Sequence, residues 1–187
     1  METKEKRERD RLDRNLERAI VFLVVAMEHS GNNPKPVILH SIRVAFLLGD
    51  QGCDPDIVIA GALHDLIEDS ATTLNEIERS FGASVAQLVS ANTFDKTIED
   101  RIQRDMDMLE RCQQAGKDAL LIKAADILEN SYHFQLDPAR DLDGWLLKKM
   151  GLFLEMSRKE LEGSVIWERL KMQHRKLAEM FDGDSSD

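Results

Sequence analysis

The sequence predicts an all-α fold organised as a single domain. Its 187 residues are enough for one domain with a sizeable core, and only four prolines and ten glycines interrupt it. Apolar residues recur at helical spacing along most of the chain, and no segment alternates convincingly between apolar and polar residues. We expect one domain over 1–187, with its core at about 16–135, closing helices at about 141–181 and a disordered acidic tail at 182–187.

Two helices are expected before residue 53. The first spans 8–29, with a solvated mixed-charge beginning and an AIVFLVVAM end that enters the core, and GNNPKP (31–36) breaks it. The second carries LHSIRVAFLL and is expected to end at Gly49 and Gly52. Its broad apolar face consists of Leu39, Ile42, Val44, Ala45 and Leu48.

A third helix should begin at Asp54-Pro55, with aspartate as the cap and proline at the first helical position. Its IVIAGAL segment (57–63) has no polar side chain and belongs in a protein interior. We expect this helix to continue through His64 and Asp65 towards Glu68.

The rest of the chain reads as shorter and then longer helices. TLNE (73–76) is a capping box for a short helix that Gly82 closes, and NTFDKT (92–97) is a turn. Gly116 separates two of the longer helices, and DPARDLD (137–143) caps the next one. The helices after Gly82 are expected at about 84–92, 97–114, 117–134, 141–161 and 164–181.

Charge and composition exclude several classes of function. The net charge of −10 and the lack of a basic stripe argue against a nucleic acid polymer as partner. The polar N-terminus lacks a signal-peptide core, and no apolar run approaches the ~20 residues of a membrane span. Cys53 and Cys112 match no zinc spacing, so a cytoplasmic location is the simplest. A small anionic ligand stays compatible with these observations. The oligomeric state does not follow from the sequence.

Buried-looking acids and histidines predict a metal site. GALHDLIEDS (61–70) places His64 and Asp65 directly after an apolar run, and an unpaired charge is costly in an interior. His40 and Asp126 also sit in apolar helical stretches, so three helices each deliver a metal-capable group. Two imidazoles and two carboxylates suit Mn²⁺ or Fe²⁺, with Zn²⁺ as an alternative.

Each of these residues also has a simpler explanation. His40 can be a core histidine with its hydrogen bonds satisfied, and Asp126 can pair with Lys123 one turn earlier. Glu68 and Asp69 can be an ordinary acidic helix end. The combined order of His, His-Asp and a distant Asp is much harder to obtain by accident.

This order resembles the HD-domain metal-dependent phosphohydrolases, and above all the hydrolase domain of the RelA/SpoT alarmone enzymes and their small stand-alone relatives. Those proteins carry patterns like H-G…P-I-H-P-V-A, L-H-D-V-E-D-T, F-G-V-L-V-T and K-A-D-N. The counterparts here are HSGNNPKPVILHSIRVA (29–45), ALHDLIEDS (62–70), TTLNEIERSFGASVAQLVSANTFDK (72–96) and LIKAADILEN (121–130). The resemblance covers roughly residues 20 to 135 and implies an HD-type helical bundle.

The resemblance also implies roles for individual residues. The metal ligands are His40, His64, Asp65 and Asp126. Glu68 and Asp69 are the acidic pair that positions or deprotonates the attacking water. Lys35, Arg43, Lys96 and Asn130 are implied near the substrate. The implied substrate is a small anionic nucleotide carrying a phosphoester or diphosphoester, and the 3′-diphosphate of guanosine tetraphosphate (ppGpp) is one candidate.

The sequence departs from the family pattern around the base. The loop at 31–37 is short and contains Asn32, Asn33 and Lys35, but no arginine. Val37 replaces the usual aromatic residue after proline, and the late helix lacks the expected tyrosine. These departures leave the reaction class intact and indicate an altered base pocket. The alternatives are an HD-type nucleotidase with another substrate range, a catalytically idle nucleotide-binding HD module, and a helical interaction protein.

Overall fold

The computed structural model describes residues 4–28, 35–135 and 144–183, and no strand occurs among them. The all-α prediction is therefore confirmed. The chain divides into two compact units, residues 1–93 and 94–187. The single-domain expectation stays a prediction, and each unit has its own helices. No helix in the described ranges has both the length and the apolar character that crossing a membrane requires.

The first unit is built around one helix whose apolar segment is completely buried. Its helices are α1 (Lys4–Met27), α2 (Val37–Asp50), α3 (Pro55–Leu63), α4 (Leu66–Asp69), α5 (Leu74–Phe81) and α6 (Ala83–Asn92). Every residue of α3 from Ile57 to Leu63 is buried, and α3 packs against α1, α2 and α6. A helix that is apolar on all sides has to be surrounded by other elements. The IVIAGAL segment is thus the centre of this unit, as predicted.

The predicted caps of this unit are confirmed. The Asp54 carboxylate accepts a hydrogen bond of 3.0 Å from the Asp56 amide, with proline at the first helical position. Thr73 and Glu76 form the reciprocal capping box at the start of α5. Gly82 ends α5 with a φ of 96°, a conformation that favours glycine.

One predicted helix end is correct in part, and another is wrong. α2 continues through Gly49 to Asp50, since a glycine lowers helical stability without breaking the hydrogen-bond pattern, and it ends just before Gly52, whose φ of 69° favours glycine. The third helix does not run through His64 to Glu68, because α3 ends at Leu63 and α4 begins at Leu66. Asp65 has φ −87° and ψ −6°, far from the helical ψ, and this conformation separates the two helices.

The apolar faces of α1 and α2 are narrower than predicted. The end of α1 buries Ala19, Leu23 and Met27, but three valines of the same apolar run are exposed: Val21, Val24 and Val25. Leu39, expected on the apolar face of α2, is also exposed, whereas Val44, Ala45 and Leu48 are buried as expected. Each helix therefore has more apolar residues than the neighbouring helices of the unit can cover.

Gly61 sets how closely α2 approaches α3. A methyl group at this position would overlap Leu48 Cδ1 and lie 3.5 Å from Val44 Cγ1, and both side chains are completely buried. We expect Gly61→Ala to lower the free energy of unfolding by about 1–3 kcal/mol, since overpacking a dense core forces neighbours out of place. Urea unfolding measures this loss.

Gly49 is the matched control for that substitution. It also lies within a helix, but no atom lies within 4 Å of an added methyl group. Gly49→Ala should leave stability unchanged or raise it by up to about 1 kcal/mol, from helix propensity alone. Equal unfolding midpoints for the two variants would contradict a close contact at Gly61.

The second unit is organised around α8. Its helices are α7 (Arg101–Ala115), α8 (Lys117–Gln135), α9 (Trp145–Leu161) and α10 (Val165–Gly183). Helix α8 packs against each of the other three, and all its residues from 119 to 129 are buried. That stretch includes three charged residues, Lys123, Asp126 and Glu129. Charged side chains within a buried stretch of helix need partners.

The helix boundaries of this unit follow the prediction with one shift. Gly116, with φ 96°, separates α7 from α8 as expected. α7 begins at Arg101 and not at 97, because the Asp100 carboxylate caps it by accepting a 2.8 Å hydrogen bond from the Gln103 amide. The predicted cap DPARDLD and most of the acidic tail lie outside the described residues.

Candidate active site

His64 and Asp65 occupy the turn between α3 and α4. The His64 side chain is fully buried, and Asp65 is 8% exposed. His64 Nδ1 lies 2.8 Å from the Gly61 carbonyl oxygen. Because a carbonyl oxygen only accepts, Nδ1 carries a proton, and in the neutral form of the ring Nε2 presents its lone pair. Such a carbonyl partner is the usual way to orient a metal-binding histidine.

His40 meets this pair from the neighbouring helix α2. Its Nε2 lies 3.3 Å from His64 Nε2. Asp65 Oδ1 lies 3.1 Å from His64 Nε2, and Asp65 Oδ2 lies 3.6 Å from His40 Nε2. The ligand atoms of the three residues all lie within 4.8 Å of one another. The structure therefore brings together three of the four predicted ligands, although His40 precedes His64 by 24 residues in sequence.

The donor set fits a divalent metal ion. His64 Nε2, with its lone pair, faces both a carboxylate oxygen and a second ring nitrogen at hydrogen-bonding distance. Electron-rich atoms that converge in a buried place repel each other unless a positive charge lies among them. Two imidazole nitrogens and one carboxylate are ligands that divalent transition ions accept.

Lys35 supplies a positive charge at the same carboxylate. Its Nζ lies 3.1 Å from Asp65 Oδ2, and both side chains are largely shielded from water. The resemblance implied a place near the substrate for Lys35, and the structure pairs it with Asp65. The rest of the predicted loop, residues 31–34, lies outside the described part of the chain.

Glu68 and Asp69 follow on the short helix α4, and both are half-buried. Their backbone amides donate hydrogen bonds of 3.1 and 2.9 Å to the Asp65 carbonyl. Ser70 fixes the end of this turn by donating a 2.6 Å hydrogen bond to the Leu66 carbonyl. The two acids are thus attached through the backbone to Asp65, and the broken helix still keeps them within one turn of it.

Asp126 lies in the second unit, where α8 buries it. Its Oδ2 accepts a 2.9 Å hydrogen bond from Lys123 Nζ, and its Oδ1 accepts a 2.6 Å hydrogen bond from Asn130 Nδ2. The simpler explanation of Asp126, a pair with Lys123, is therefore present in the structure. A carboxylate held on both oxygens is also typical of a metal ligand with oriented partners. The role of Asp126 as a ligand stays a prediction.

The two remaining predicted phosphate contacts are exposed cations. Arg43 lies on α2, one turn after His40, and Lys96 lies in the turn before α7. In that turn, hydrogen bonds from the amide and hydroxyl of Thr97 lower the pKa of Asp95 below its usual value. Lys96 is thus next to a carboxylate held in its charged form. The substrate roles of both cations stay predictions.

Sequence reasoning missed two groups that lie close in sequence to predicted ligands. The Gly61 carbonyl that orients His64 was not considered, although a carbonyl three residues before a helical side chain is within its reach. Glu129, buried one turn after Asp126, was also missed. Its signal was available, since residues three apart share a helix face.

Comparison with known proteins identifies the family. Residues 19–135 match the family described as "HD domain". The chain belongs to the HD-domain family. Relatives include the guanosine-3′,5′-bis(diphosphate) 3′-pyrophosphohydrolases MESH1 of Danio rerio and Homo sapiens. The first is 32% identical over 142 residues, which cover 72% of this chain and 74% of the relative. The second is 35% identical over 135 residues, covering 68% and 70%.

Solved structures support the same fold. A metazoan ortholog of SpoT that hydrolyzes ppGpp matches with a TM-score of 0.71 and 24% identity, covering 87% of this chain and 94% of that one. The protein lmo0812 of Listeria monocytogenes EGD-e matches with a TM-score of 0.64 and 22% identity, covering 76% and 98%. The predicted resemblance is thus confirmed, and the chain is an HD-domain hydrolase.

Proposed function

We propose that this hydrolase removes the 3′-diphosphate from a small nucleotide, with ppGpp as the leading substrate. The observation that carries the proposal is the buried cluster of His40, His64 and Asp65, with Glu68 and Asp69 attached to the next turn. The 3′-pyrophosphohydrolase activity in the names of the relatives agrees with this arrangement. A purely structural cluster of His40, His64 and Asp65 would not require the acidic pair of Glu68 and Asp69 beside it.

The metal would be held by His40, His64 and Asp65, with Asp126 proposed as the fourth ligand on the sequence motif alone. Mn²⁺ is the proposed ion, and Fe²⁺ and Zn²⁺ are the alternatives. When bound, such an ion supplies Lewis acidity, which polarises the phosphoryl oxygen and lowers the pKa of water.

The side chains around this cluster divide the remaining work. Glu68 or Asp69 accepts the proton of the attacking water, as a carboxylate at a fixed position can. Arg43 and Lys96 offset the charge that develops on the leaving diphosphate. Lys35 and Asn130 are proposed to contact the substrate directly. Acid–base and electrostatic roles thus fall to different residues.

Incubation with ppGpp tests the proposal directly. The purified chain with Mn²⁺ should release pyrophosphate and leave GDP, which anion-exchange chromatography separates. GDP is also the matched control substrate, because it keeps the base and the 5′-diphosphate but offers no 3′ group. Release of phosphate from GDP, without turnover of ppGpp, would favour an HD-type nucleotidase of another substrate range.

The reducing cytoplasm is the proposed location, because the two cysteines match no zinc spacing.

Base selectivity should be weak. The loop at 31–37 lacks the arginine expected in the family, and a site discriminates strongly between bases only when its polar groups must be matched. We expect guanosine and adenosine forms of a 3′-phosphorylated nucleotide to differ in kcat/KM by no more than ~10-fold, or ~1.4 kcal/mol. Steady-state kinetics with the two substrates measures this ratio. A thousandfold preference for guanine would show that other residues recognise the base.

A further inference from the structure

Lys35 forms an ion pair with Asp65, one of the three residues of the candidate metal site. The distance from Lys35 Nζ to Asp65 Oδ2 is 3.1 Å, and the side chains are 21% and 11% exposed. The same oxygen lies 3.6 Å from His40 Nε2. The Lys35 ammonium group and the His40 ring therefore contact the same carboxylate oxygen of Asp65. Because the pair is shielded from water, its attraction exceeds that of an ordinary surface pair.

We propose that Lys35 is an internal cation that competes with the divalent metal ion for Asp65. Without metal, the ammonium group balances the carboxylate in a buried place where an unbalanced charge is costly. A divalent ion that binds the same carboxylate meets a positive charge close by, and the two cations repel each other. Lys35 therefore leaves Asp65 when the ion binds. This inference rests on the metal site of the proposed function.

The competition has a consequence for substrate binding. A lysine released from Asp65 is a flexible point charge at the edge of the site, and it is then available to a phosphate group. Metal binding and phosphate binding are thereby coupled through one side chain. Lys35 also weakens metal binding, whereas a residue that only orients Asp65 would strengthen it.

Metal titrations of the full chain separate these two roles. Free Mn²⁺ is measured by electron paramagnetic resonance, with metal-stripped wild type, Lys35→Met, Lys35→Gln and Lys35→Arg. Both neutral variants should bind Mn²⁺ about tenfold more tightly or better, or at least about 1.4 kcal/mol. Lys35→Arg should stay near the wild type, because it keeps the charge. Arg79→Met, which removes one exposed positive charge from α5, controls for net charge and should change little.

Thermal unfolding gives a second measurement that does not depend on activity. In chelator, Lys35→Met should melt below the wild type, since Asp65 has lost its cation. Added Mn²⁺ should then raise its melting temperature by more than it raises that of the wild type, because stabilisation by a ligand grows with affinity. Lys35→Gln gives the same comparison if Lys35→Met does not fold.

The outcomes distinguish the two proposals. If the wild type binds Mn²⁺ and both neutral variants bind equally or more weakly, Lys35 is not a competitor and the metal site stands. If no variant binds Mn²⁺, Fe²⁺ or Zn²⁺, the metal site fails and the inference fails with it. Tight binding by the neutral variants alone would support the competition in its strongest form.

Discussion

Glu68→Gln is expected to lower kcat by ~10² or more, the scale of general acid–base catalysis. The amide has nearly the shape of the carboxylate but cannot accept the proton of the attacking water. Fold and metal content should stay at the level of the parent, because the backbone of Glu68 and not its side chain makes the hydrogen bond to the Asp65 carbonyl that shapes this turn. Turnover of ppGpp, metal analysis and urea unfolding measure the three properties.

Two further variants make this test specific. Glu78→Gln removes one exposed carboxylate from α5 and should leave the rate unchanged. Asp69→Asn tests the second candidate base in the same way. The variant with the greater loss in kcat identifies the carboxylate that accepts the proton. If Glu68→Gln hydrolyses its substrate at the parent rate, Glu68 has no chemical role in this protein.

The sequence could predict part of the candidate site because some of its residues carry strong local signals. His40, His64 and Asp65 are polar residues inside apolar runs, and burial forces such groups to find partners. The expected continuous helix from His64 towards Glu68 is broken at Asp65 in the structure. Glu68 and Asp69 nevertheless stay within one turn of Asp65, because their backbone amides donate hydrogen bonds to its carbonyl oxygen.

What the sequence could not predict depends on contacts between distant segments. The pair of Lys35 with Asp65 joins residues 30 positions apart, and no periodicity indicates it. The exposure of Val21 and Val25 depends on how much of α1 its neighbours cover. The sequence of a helix determines how wide its apolar stripe is, whereas tertiary packing determines how much of that stripe is buried.

Asp126→Asn is expected to remove most of the bound metal. If Asp126 is the fourth ligand, the neutral amide that replaces it is a much poorer metal ligand. Losing a residue that only hydrogen-bonds to a ligand typically weakens metal binding ~10–100-fold, and the loss here should be larger. The expected content for the parent is one divalent ion per chain. Elemental analysis of protein purified without chelator measures the difference, and Asp126→Ala provides the stronger form of the test.

The difficulty is that Asp126 also has a structural role. It neutralises Lys123, which is 2% exposed, and breaking a buried ion pair costs about 3–5 kcal/mol. Lys123→Met is therefore the matched control, because it breaks the same pair but keeps the carboxylate. Both variants should unfold at lower urea concentrations than the parent, yet only the Asp126 variants should lose metal. Equal metal content in Asp126→Asn and the parent would leave Asp126 as the structural partner of Lys123, and the metal site would then consist of the residues in the first unit.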